Sequence, residues 1–247
     1  MICFVDIEHE KVLQDPNRRN PHLASCMDVK LKLEEISGRP CIVRRFTEVT
    51  RQQLKDLGLE ALIISGNATD WAEYNDQAWF EMHHIIREAR WPILGFCGGH
   101  QLIAMAHGAP LGPMRPLRPD EPDVTSLSGT GHLKEWGFVP VDVVKADPIF
   151  NGLGQSPVFL EVHYWETKGI PPGFQVLAST DACRIQVMKQ IDKPVYGTEF
   201  HPEGYTEGPY DRRSRLVNLV YPEGYAQERS DGRKLLVNFF RIAGILG

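Results

Sequence analysis

The stretch Ile93–Gln101 has the sequence Ile-Leu-Gly-Phe-Cys-Gly-Gly-His-Gln and decides the fold of this 247-residue chain. The apolar residues that lead into Cys97 predict a short buried strand, and the apolar residues that follow at helical spacing predict a helix. A cysteine between glycines at such a junction is typical of a nucleophile elbow, which exposes a reactive side chain at the carboxyl end of a strand. The positive end of the helix dipole would face the Cys97 sulfur, and we expect it to favour the thiolate.

Strand and helix patterns alternate on the amino-terminal side of this stretch. Strands are predicted at residues 2–6, 41–43, 61–64 and 91–96, and helices at 25–36, at 50–58 with Thr50 as the cap, at 75–90 and directly after Cys97. Short links between such elements predict an α/β fold with a doubly wound, mostly parallel sheet and helices on both faces, of the flavodoxin-like type. We expect the polar segment 9–20, which contains two prolines, to form a loop.

The second half of the chain changes in character. Residues 109–134 are rich in proline and glycine and predict a loop with one short strand. Further short strands are predicted at 139–144, 158–162, 175–178, 185–188 and 195–200, followed by an extended loop at 204–230 and a closing helix at 231–246. Because no change of composition marks a boundary, we expect one domain over residues 1–247.

Composition excludes several classes of function. The net charge is −5, from 27 basic and 32 acidic residues, and no basic block is present, so a nucleic-acid partner is not expected. There is no apolar run of about 18 residues and no basic signal segment, so neither membrane association nor secretion is expected. The five cysteines lack paired spacing, which predicts a reduced, cytoplasmic protein with no metal site and no cofactor.

A cysteine nucleophile needs a base, and His201 is the candidate. It follows a predicted apolar strand, which would bring it to the same sheet edge as Cys97 if the two strands run parallel. Glu203 is two residues further on, and in an extended chain residues two apart project to the same side. Glu203 could then orient the His201 ring, as the third member of a catalytic triad does. The sequence therefore predicts a Cys97–His201–Glu203 triad.

Two glycines are the candidate oxyanion donors. Gly98 follows the nucleophile and begins a helix, and Gly66 ends the neighbouring predicted strand. Their amide N–H groups can face one cavity, and neither residue has a side chain that would block the approach of a substrate. Acyl transfer needs such donors for the oxyanion of its tetrahedral intermediate.

The stretch Gly95–Gln101, together with Phe200–Glu203, resembles the class I glutamine amidotransferases, the cysteine-triad family. The similarity extends over residues 60–203 and resumes at 234–240. The resemblance implies a stand-alone domain that hydrolyses the side-chain amide of L-glutamine through a γ-glutamyl thioester, with release of ammonia and glutamate. The ammonia would then pass to a synthetase subunit on a separate chain, and no cofactor is implied.

The resemblance also implies a set of substrate contacts. Gln101 would help to hold the glutamine, and the segment His163, Tyr164 and Trp165 would hold its amino-acid end. The chain departs from the usual family pattern in that segment, which is bulkier, and at two other positions. Asn67 stands where a second glycine is common, and Glu199 stands where a glutamine commonly precedes the Phe-His-Pro-Glu motif.

These departures leave two alternatives open. The chain could instead hydrolyse γ-glutamyl amines or peptides with the same triad, because the bulky residues would shape a different substrate pocket. It could also be a catalytically weak binding or regulatory protein on the same fold, as the long segments 9–20 and 204–230 would allow.

Overall fold

The computed structural model describes residues 1–123, 130–205 and 231–247. In these ranges the strands are β1 (Ile2–Asp6), β2 (Cys41–Arg45), β3 (Ala61–Ile64), β4 (Ile93–Phe96), β5 (Leu111–Pro113), β6 (Glu135–Pro140), β7 (Asp142–Val143), β8 (Val158–His163), β9 (Trp165–Thr167), β10 (Phe174–Ser179), β11 (Val187–Gln190) and β12 (Val195–Thr198). The α-helices of the same ranges are α1 (Glu10–Gln14), α2 (Pro16–Ser37), α3 (Arg51–Asp56), α4 (Phe80–Glu88), α5 (Gly98–Ala106) and α6 (Asp231–Ile242).

Eight strands form the central sheet of the described chain, in the order β2-β1-β3-β4-β12-β11-β10-β7. The strands from β2 to β12 run parallel, and β11, β10 and β7 continue the sheet in antiparallel pairs. Two antiparallel pairs, β5 with β9 and β6 with β8, lie outside this sheet. The predicted α/β sheet is confirmed, and β12 lies directly beside β4.

Helices cover both faces of the sheet because alternate residues of each strand point to opposite sides. In β1, Ile2 and Phe4 join a core that α2 and α6 cover, whereas Cys3 and Val5 join a core that α3, α4 and α5 cover. All four side chains are buried. The strands therefore have nearly continuous apolar sequences, as expected of a sheet that is buried on both faces.

The amino-terminal end of α5 packs directly on the central strands, and glycines make this contact possible. A Cβ atom on Gly99 would lie 2.4 Å from the Ile64 carbonyl oxygen, and one on Gly95 would lie 2.4 Å from the Gly99 carbonyl carbon. On β12, a Cβ atom on Gly197 would lie 2.6 Å from Nδ1 of His100. Since these contacts leave no space for a side chain, they fix where α5 begins, directly after Cys97.

The prediction of a loop at residues 9–20 is wrong, because α1 and α2 occupy that segment. The His9 ring accepts a hydrogen bond from the Lys11 amide, and the Asp15 carboxylate accepts one from the Asn17 amide, so each side chain caps a helix. Pro16 is the first residue of α2, a position where its missing N–H costs nothing. No helix in the described ranges is both long and apolar enough to cross a membrane.

Other predicted boundaries differ in detail. The helix predicted at 75–90 is a 3₁₀ turn, Asp76–Trp79, followed by α4, and the strand predicted at 139–144 is divided into β6 and β7. The predicted Thr50 cap is confirmed, with a full capping box to Gln53. The extended loop predicted at 204–230 lies outside the described residues except for positions 204 and 205.

The close contact of α5 yields a test. We expect Gly99→Ala to lower the free energy of unfolding by at least about 2 kcal/mol, because the new methyl group would meet the backbone of β3. Gly154→Ala is the matched control, since a Cβ atom there meets nothing within 4 Å, and we expect a change below about 0.5 kcal/mol. Urea denaturation measures both values, and equal stabilities of the two variants would contradict this packing.

Candidate active site

Cys97 occupies a strained turn between β4 and α5. Its backbone has φ 48° and ψ −108°, in a region that residues other than glycine rarely adopt. Two hydrogen bonds hold this conformation: the Cys97 amide donates to the Thr198 carbonyl at 2.7 Å, and the Cys97 carbonyl accepts from the Gln101 amide at 3.0 Å. Strain that the surroundings maintain in this way is common at functional sites.

The environment of the Cys97 thiol favours its protonated form. The residue is only 7% exposed, and this burial raises the pKa of the thiol well above its usual range. The negative charge of Glu199 raises the pKa further, whereas a hydrogen bond from the Gly98 amide opposes the shift. The expectation that the α5 dipole would favour the thiolate is therefore wrong, because desolvation outweighs the helix terminus.

His201 and Glu203 form a hydrogen-bonded pair beyond the carboxyl end of β12. Nδ1 of His201 lies 2.7 Å from Oε1 of Glu203, and the two side chains are 20% and 11% exposed. The predicted reason for this pairing, an extended chain, is wrong, because Pro202–Gly204 is a 3₁₀ turn and His201 precedes it. With Nδ1 engaged by the carboxylate, Nε2 is the ring nitrogen left to accept a proton.

Gly66 lies against both Cys97 and His201. A Cβ atom on Gly66 would be 3.0 Å from Cε1 of the His201 ring and 3.4 Å from Cβ of Cys97. The structure therefore brings the two predicted catalytic side chains to one sheet edge, as the pairing of β4 with β12 requires. Within the described residues no hydrogen bond joins the thiol to the ring, and such bonds often form only with substrate present.

The two predicted oxyanion donors lie on either side of the thiol. The Gly98 amide faces the sulfur, and the Gly66 amide has no backbone acceptor in the described chain. Asn67 was missed by the sequence analysis: its side chain occupies the space that a Cβ atom on Gly98 would need. The Asn67 amide group in turn donates to the Thr69 carbonyl at 2.7 Å.

The loop that carries Gly66 is anchored by Glu8, which the sequence analysis also missed. This buried carboxylate accepts a hydrogen bond from the Ala68 amide at 2.7 Å and one from the Thr69 hydroxyl at 2.6 Å. Glu8 follows β1 by two residues. Anchoring of this kind keeps the Gly66 amide at a fixed position relative to Cys97.

Gln101 is buried, and protein groups engage its carboxamide. Its oxygen accepts from the Trp71 indole N–H at 2.6 Å, and its nitrogen donates to the Trp165 carbonyl at 3.1 Å and to the Glu199 carboxylate. The predicted contact with substrate would require this amide to exchange one of these partners. In the structure Gln101 joins α5 to the loop after β3, to β9 and to the end of β12.

The predicted segment 163–165 is divided between two environments. The His163 side chain is buried among carboxylates, whereas Tyr164 and Trp165 are half-buried and turn toward Asp70. Oδ2 of Asp70 accepts from the Tyr164 hydroxyl at 2.8 Å and from the Trp165 indole N–H at 3.3 Å. Although partial burial raises the pKa of Asp70, hydrogen bonds from the Ala72 amide and from Tyr164 lower it below its usual value.

Glu199 is the charged residue beneath the nucleophile. It is fully buried, and burial raises the pKa of its carboxyl to about 8. The hydrogen bond from Gln101 favours the ionised form but does not overcome the desolvation. Glu199 therefore ionises at a lower pH than the Cys97 thiol, and the resulting charge opposes thiolate formation.

Two groups of side chains in the described ranges have the chemistry of metal ligands. They are Asp6 with His22 and Cys26, and Glu135 with Glu161 and His163, and in each group the ligand atoms lie within 4.8 Å of one another. Neither group was recognised in the sequence, where the search for a metal site relied on cysteine spacing.

The comparison with known proteins assigns the family. The family model of glutamine amidotransferase class I matches residues 32–213, which is more than half of the chain. The chain belongs to the class I glutamine amidotransferase family.

Similar proteins include components of a two-chain enzyme. The glutamine-hydrolysing subunit of GMP synthase from Pyrococcus abyssi (strain GE5 / Orsay) is 38% identical over 112 residues, which are 45% of this chain and 50% of that protein. The corresponding protein of Thermococcus kodakarensis is 32% identical over 152 residues, 62% of this chain and 70% of that protein. The match thus spans about half the length of the first relative.

Solved structures share the fold at lower identity. A protein from Thermoplasma acidophilum superposes with a TM-score of 0.67 at 22% identity, covering 99% of this chain and 94% of that one. A glutamine amido transferase from Methylobacillus flagellatus gives a TM-score of 0.65 at 16% identity, covering 100% and 95%.

The charge of Glu199 gives a prediction for the thiol. We expect Glu199→Gln to lower the pKa of Cys97, because it removes a buried negative charge but keeps the shape of the side chain. The pH dependence of iodoacetamide alkylation at Cys97, followed by peptide mass spectrometry, measures the shift. Its midpoint should move to lower pH in this variant and stay in place in Glu166→Gln, whose side chain pairs with Lys168. An unchanged or higher midpoint in Glu199→Gln would contradict the assignment.

Proposed function

We propose that this chain hydrolyses the side-chain amide of L-glutamine through a γ-glutamyl thioester on Cys97 and releases ammonia and glutamate. The observation that carries the proposal is the position of Gly66, which adjoins both the Cys97 side chain and the His201 ring. His201 is in turn hydrogen-bonded to Glu203 at 2.7 Å. Membership in the class I glutamine amidotransferase family supports the same assignment.

The reaction follows from these positions. The Cys97 sulfur attacks the amide carbonyl carbon while Nε2 of His201 accepts the thiol proton. The amides of Gly66 and Gly98 stabilise the oxyanion, and His201 then passes its proton to the departing ammonia. A water molecule, deprotonated by His201, hydrolyses the thioester and frees glutamate. Glu203 fixes the orientation of the His201 ring throughout.

The raised pKa of Cys97 determines how the first step starts. Because the free thiol is protonated, no thiolate–imidazolium pair stands ready before substrate binds. Proton transfer to His201 then accompanies the attack of the sulfur, as in general-base catalysis. This arrangement protects a buried thiol from adventitious reaction and makes the nucleophile dependent on His201.

We also propose that the released ammonia is used by a synthetase subunit on a separate chain. Two relatives are glutamine-hydrolysing subunits of GMP synthase, and the word subunit describes one part of a larger enzyme. A cytoplasmic location, inferred from the unpaired cysteines, and a single domain over residues 1–247 belong to the same proposal. The single domain is supported by two core clusters that share one sheet.

A second candidate function, hydrolysis of γ-glutamyl amines, is favoured by the group formed by Asp70, Tyr164 and Trp165. Hydrogen bonds keep the pKa of Asp70 low, so an anionic carboxylate stands between two aromatic side chains. Such a site can bind the ammonium group of an amine attached to the γ-carboxyl carbon. Gln101, through the Trp165 carbonyl, connects this group to α5.

The triad gives the first test of the proposed activity. We expect Cys97→Ala and His201→Ala each to lower kcat/KM for glutamine by about 10³-fold or more, because the nucleophile or its base is removed. Cys26→Ala is the matched control, since Cys26 is 8% exposed against 7% for Cys97 and lies on α2. Glutamate and ammonia release, measured with and without a co-purified partner, gives the rates. Wild-type hydrolysis by Cys97→Ala would refute the proposal.

A substrate panel separates the two candidate functions. If glutamine is the substrate, its kcat/KM should exceed that of γ-glutamyl amines, and Asp70→Asn should affect all members alike. If amines are the substrates, Asp70→Asn should raise their KM about tenfold through the lost charge pair and leave glutamine unchanged. Asp76→Asn, at a nearby exposed site, is the control. A protein that turns over no panel member would fit the alternative of a binding or regulatory role.

A further inference from the structure

A buried group of three metal-binding side chains lies between β6 and β8, outside the proposed triad. Glu135 and His163 are directly opposite each other in the antiparallel pair, and Glu161 is two residues before His163, on the same face. Glu135 is 6% exposed, Glu161 0% and His163 5%. One ligand atom of each lies within 4.8 Å of the others.

The hydrogen bonds of His163 show that its second ring nitrogen faces only acceptors. Nδ1 lies 2.8 Å from the Trp165 carbonyl oxygen, which can only accept, so Nδ1 carries a proton and donates it. Nε2 lies 3.0 Å from Oε2 of Glu135 and 3.4 Å from Oε2 of Glu161. A neutral ring and two carboxylates would present three lone pairs to one another, so a proton or a metal cation must lie between them.

Glu161 decides between these two possibilities. A proton on Nε2 makes a hydrogen bond with Glu135, but the contact with Glu161 at 3.4 Å lacks hydrogen-bond geometry. In the described chain neither carboxylate oxygen of Glu161 has a hydrogen-bond partner, although the side chain is wholly buried. A buried polar group without a partner costs about 1–3 kcal/mol, and more if it is charged. A cation bound between the three atoms would satisfy Glu161 as well as Glu135.

The spacing of the ligand atoms fits zinc. Tetrahedral zinc with bonds of about 2.0–2.2 Å to nitrogen and oxygen places its ligand atoms roughly 3.3 Å apart. The distances from Nε2 of His163 to the two carboxylate oxygens, 3.0 and 3.4 Å, are close to this value. A fourth position remains for water or for Oε1 of Gln186, which is buried and without a partner in the described part of the chain.

The surrounding hydrogen bonds are those of a ligand set held in place. Metal-binding histidines usually donate their other ring N–H to a carbonyl or carboxylate, as Nδ1 of His163 does to Trp165. Glu135 accepts from the Thr180 hydroxyl at 2.7 Å and from the Gln186 amide at 2.6 Å, which fixes the direction of its carboxylate. These outer contacts would orient both ligands before a metal binds.

We propose that Oε2 of Glu135, Oε2 of Glu161 and Nε2 of His163 bind one zinc ion, in a closed structural site that joins β6 to β8. The Trp165 carbonyl links the site to the catalytic region, because it also accepts a hydrogen bond from Gln101. A bound ion would thereby hold the segment that carries Trp165 in position near Cys97.

The other group of metal-ligand type carries no such proposal. Oδ2 of Asp6 already accepts from the Arg45 guanidinium at 2.6 Å and lies 3.0 Å from Nε2 of His22. A positive charge and a proton donor are thus present, and a second cation would be repelled by Arg45.

Metal analysis of the purified full chain tests the proposal. The protein is prepared without metal-affinity resin, incubated with zinc, and dialysed before mass-spectrometric metal determination. We expect close to one zinc per wild-type chain, at least tenfold weaker binding by Glu161→Gln, and wild-type binding by Glu166→Gln. Glu166 lies three residues beyond His163 and pairs with Lys168, so it controls for the loss of a nearby carboxylate. A wild-type chain that binds no more zinc than Glu161→Gln would overturn the proposal.

Cobalt substitution keeps the test decisive if Glu161→Gln does not fold. The apo wild-type chain, checked by circular dichroism, is titrated with Co²⁺, and a tetrahedral site should give intense visible absorption that zinc abolishes. Absence of this band, with an unchanged Tm on addition of zinc, would show that only a proton lies between the three side chains. Neither readout depends on glutamine hydrolysis, so failure of the metal site and failure of the proposed activity are distinguishable.

Discussion

The structure around Cys97 depends on how closely the first turn of α5 approaches the central strands. Gly95, Gly99 and Gly197 permit backbone contacts that a single methyl group would break. With α5 held there, the chain can pass from β4 into the helix only by a sharp turn, and Cys97 takes the positive φ. The same contact brings β12 alongside β4, so that His201 follows at the neighbouring strand end. Position and strain of the nucleophile thus have one cause.

Burial gives this site a second property. The turn that presents Cys97 also removes it from water, and the loss of hydration outweighs the favourable amide of Gly98. Glu199, fully buried beneath it, adds negative charge in place of a neutral side chain. The site therefore holds its nucleophile in the protonated form, and the base His201 becomes essential to activating it. Around Glu199 the structure concentrates carboxylates that a local positive charge would stabilise, and His163 lies among them.

Local patterns predicted the features that depend on a few neighbouring residues. The strand–cysteine–helix junction, the Thr50 capping box and the His201–Glu203 pair all follow from short spacings in the sequence. Features that depend on distant contacts were not predicted. Glu8 anchors a loop about sixty residues away, and the thiol pKa reflects burial by elements throughout the chain. The helices at 9–20 were missed because their prolines were taken as breakers, although Pro16 begins α2.

The claim that Cys97 is the nucleophile is tested most directly with a diazoketone analogue of glutamine. Such a compound alkylates the group that attacks its carbonyl region, and peptide mass spectrometry locates the adduct. We predict one adduct per chain, on Cys97, formed at a rate that glutamine slows, with glutamine hydrolysis falling in proportion to labelling. An adduct on another residue, or hydrolysis that persists after complete labelling of Cys97, would contradict the account.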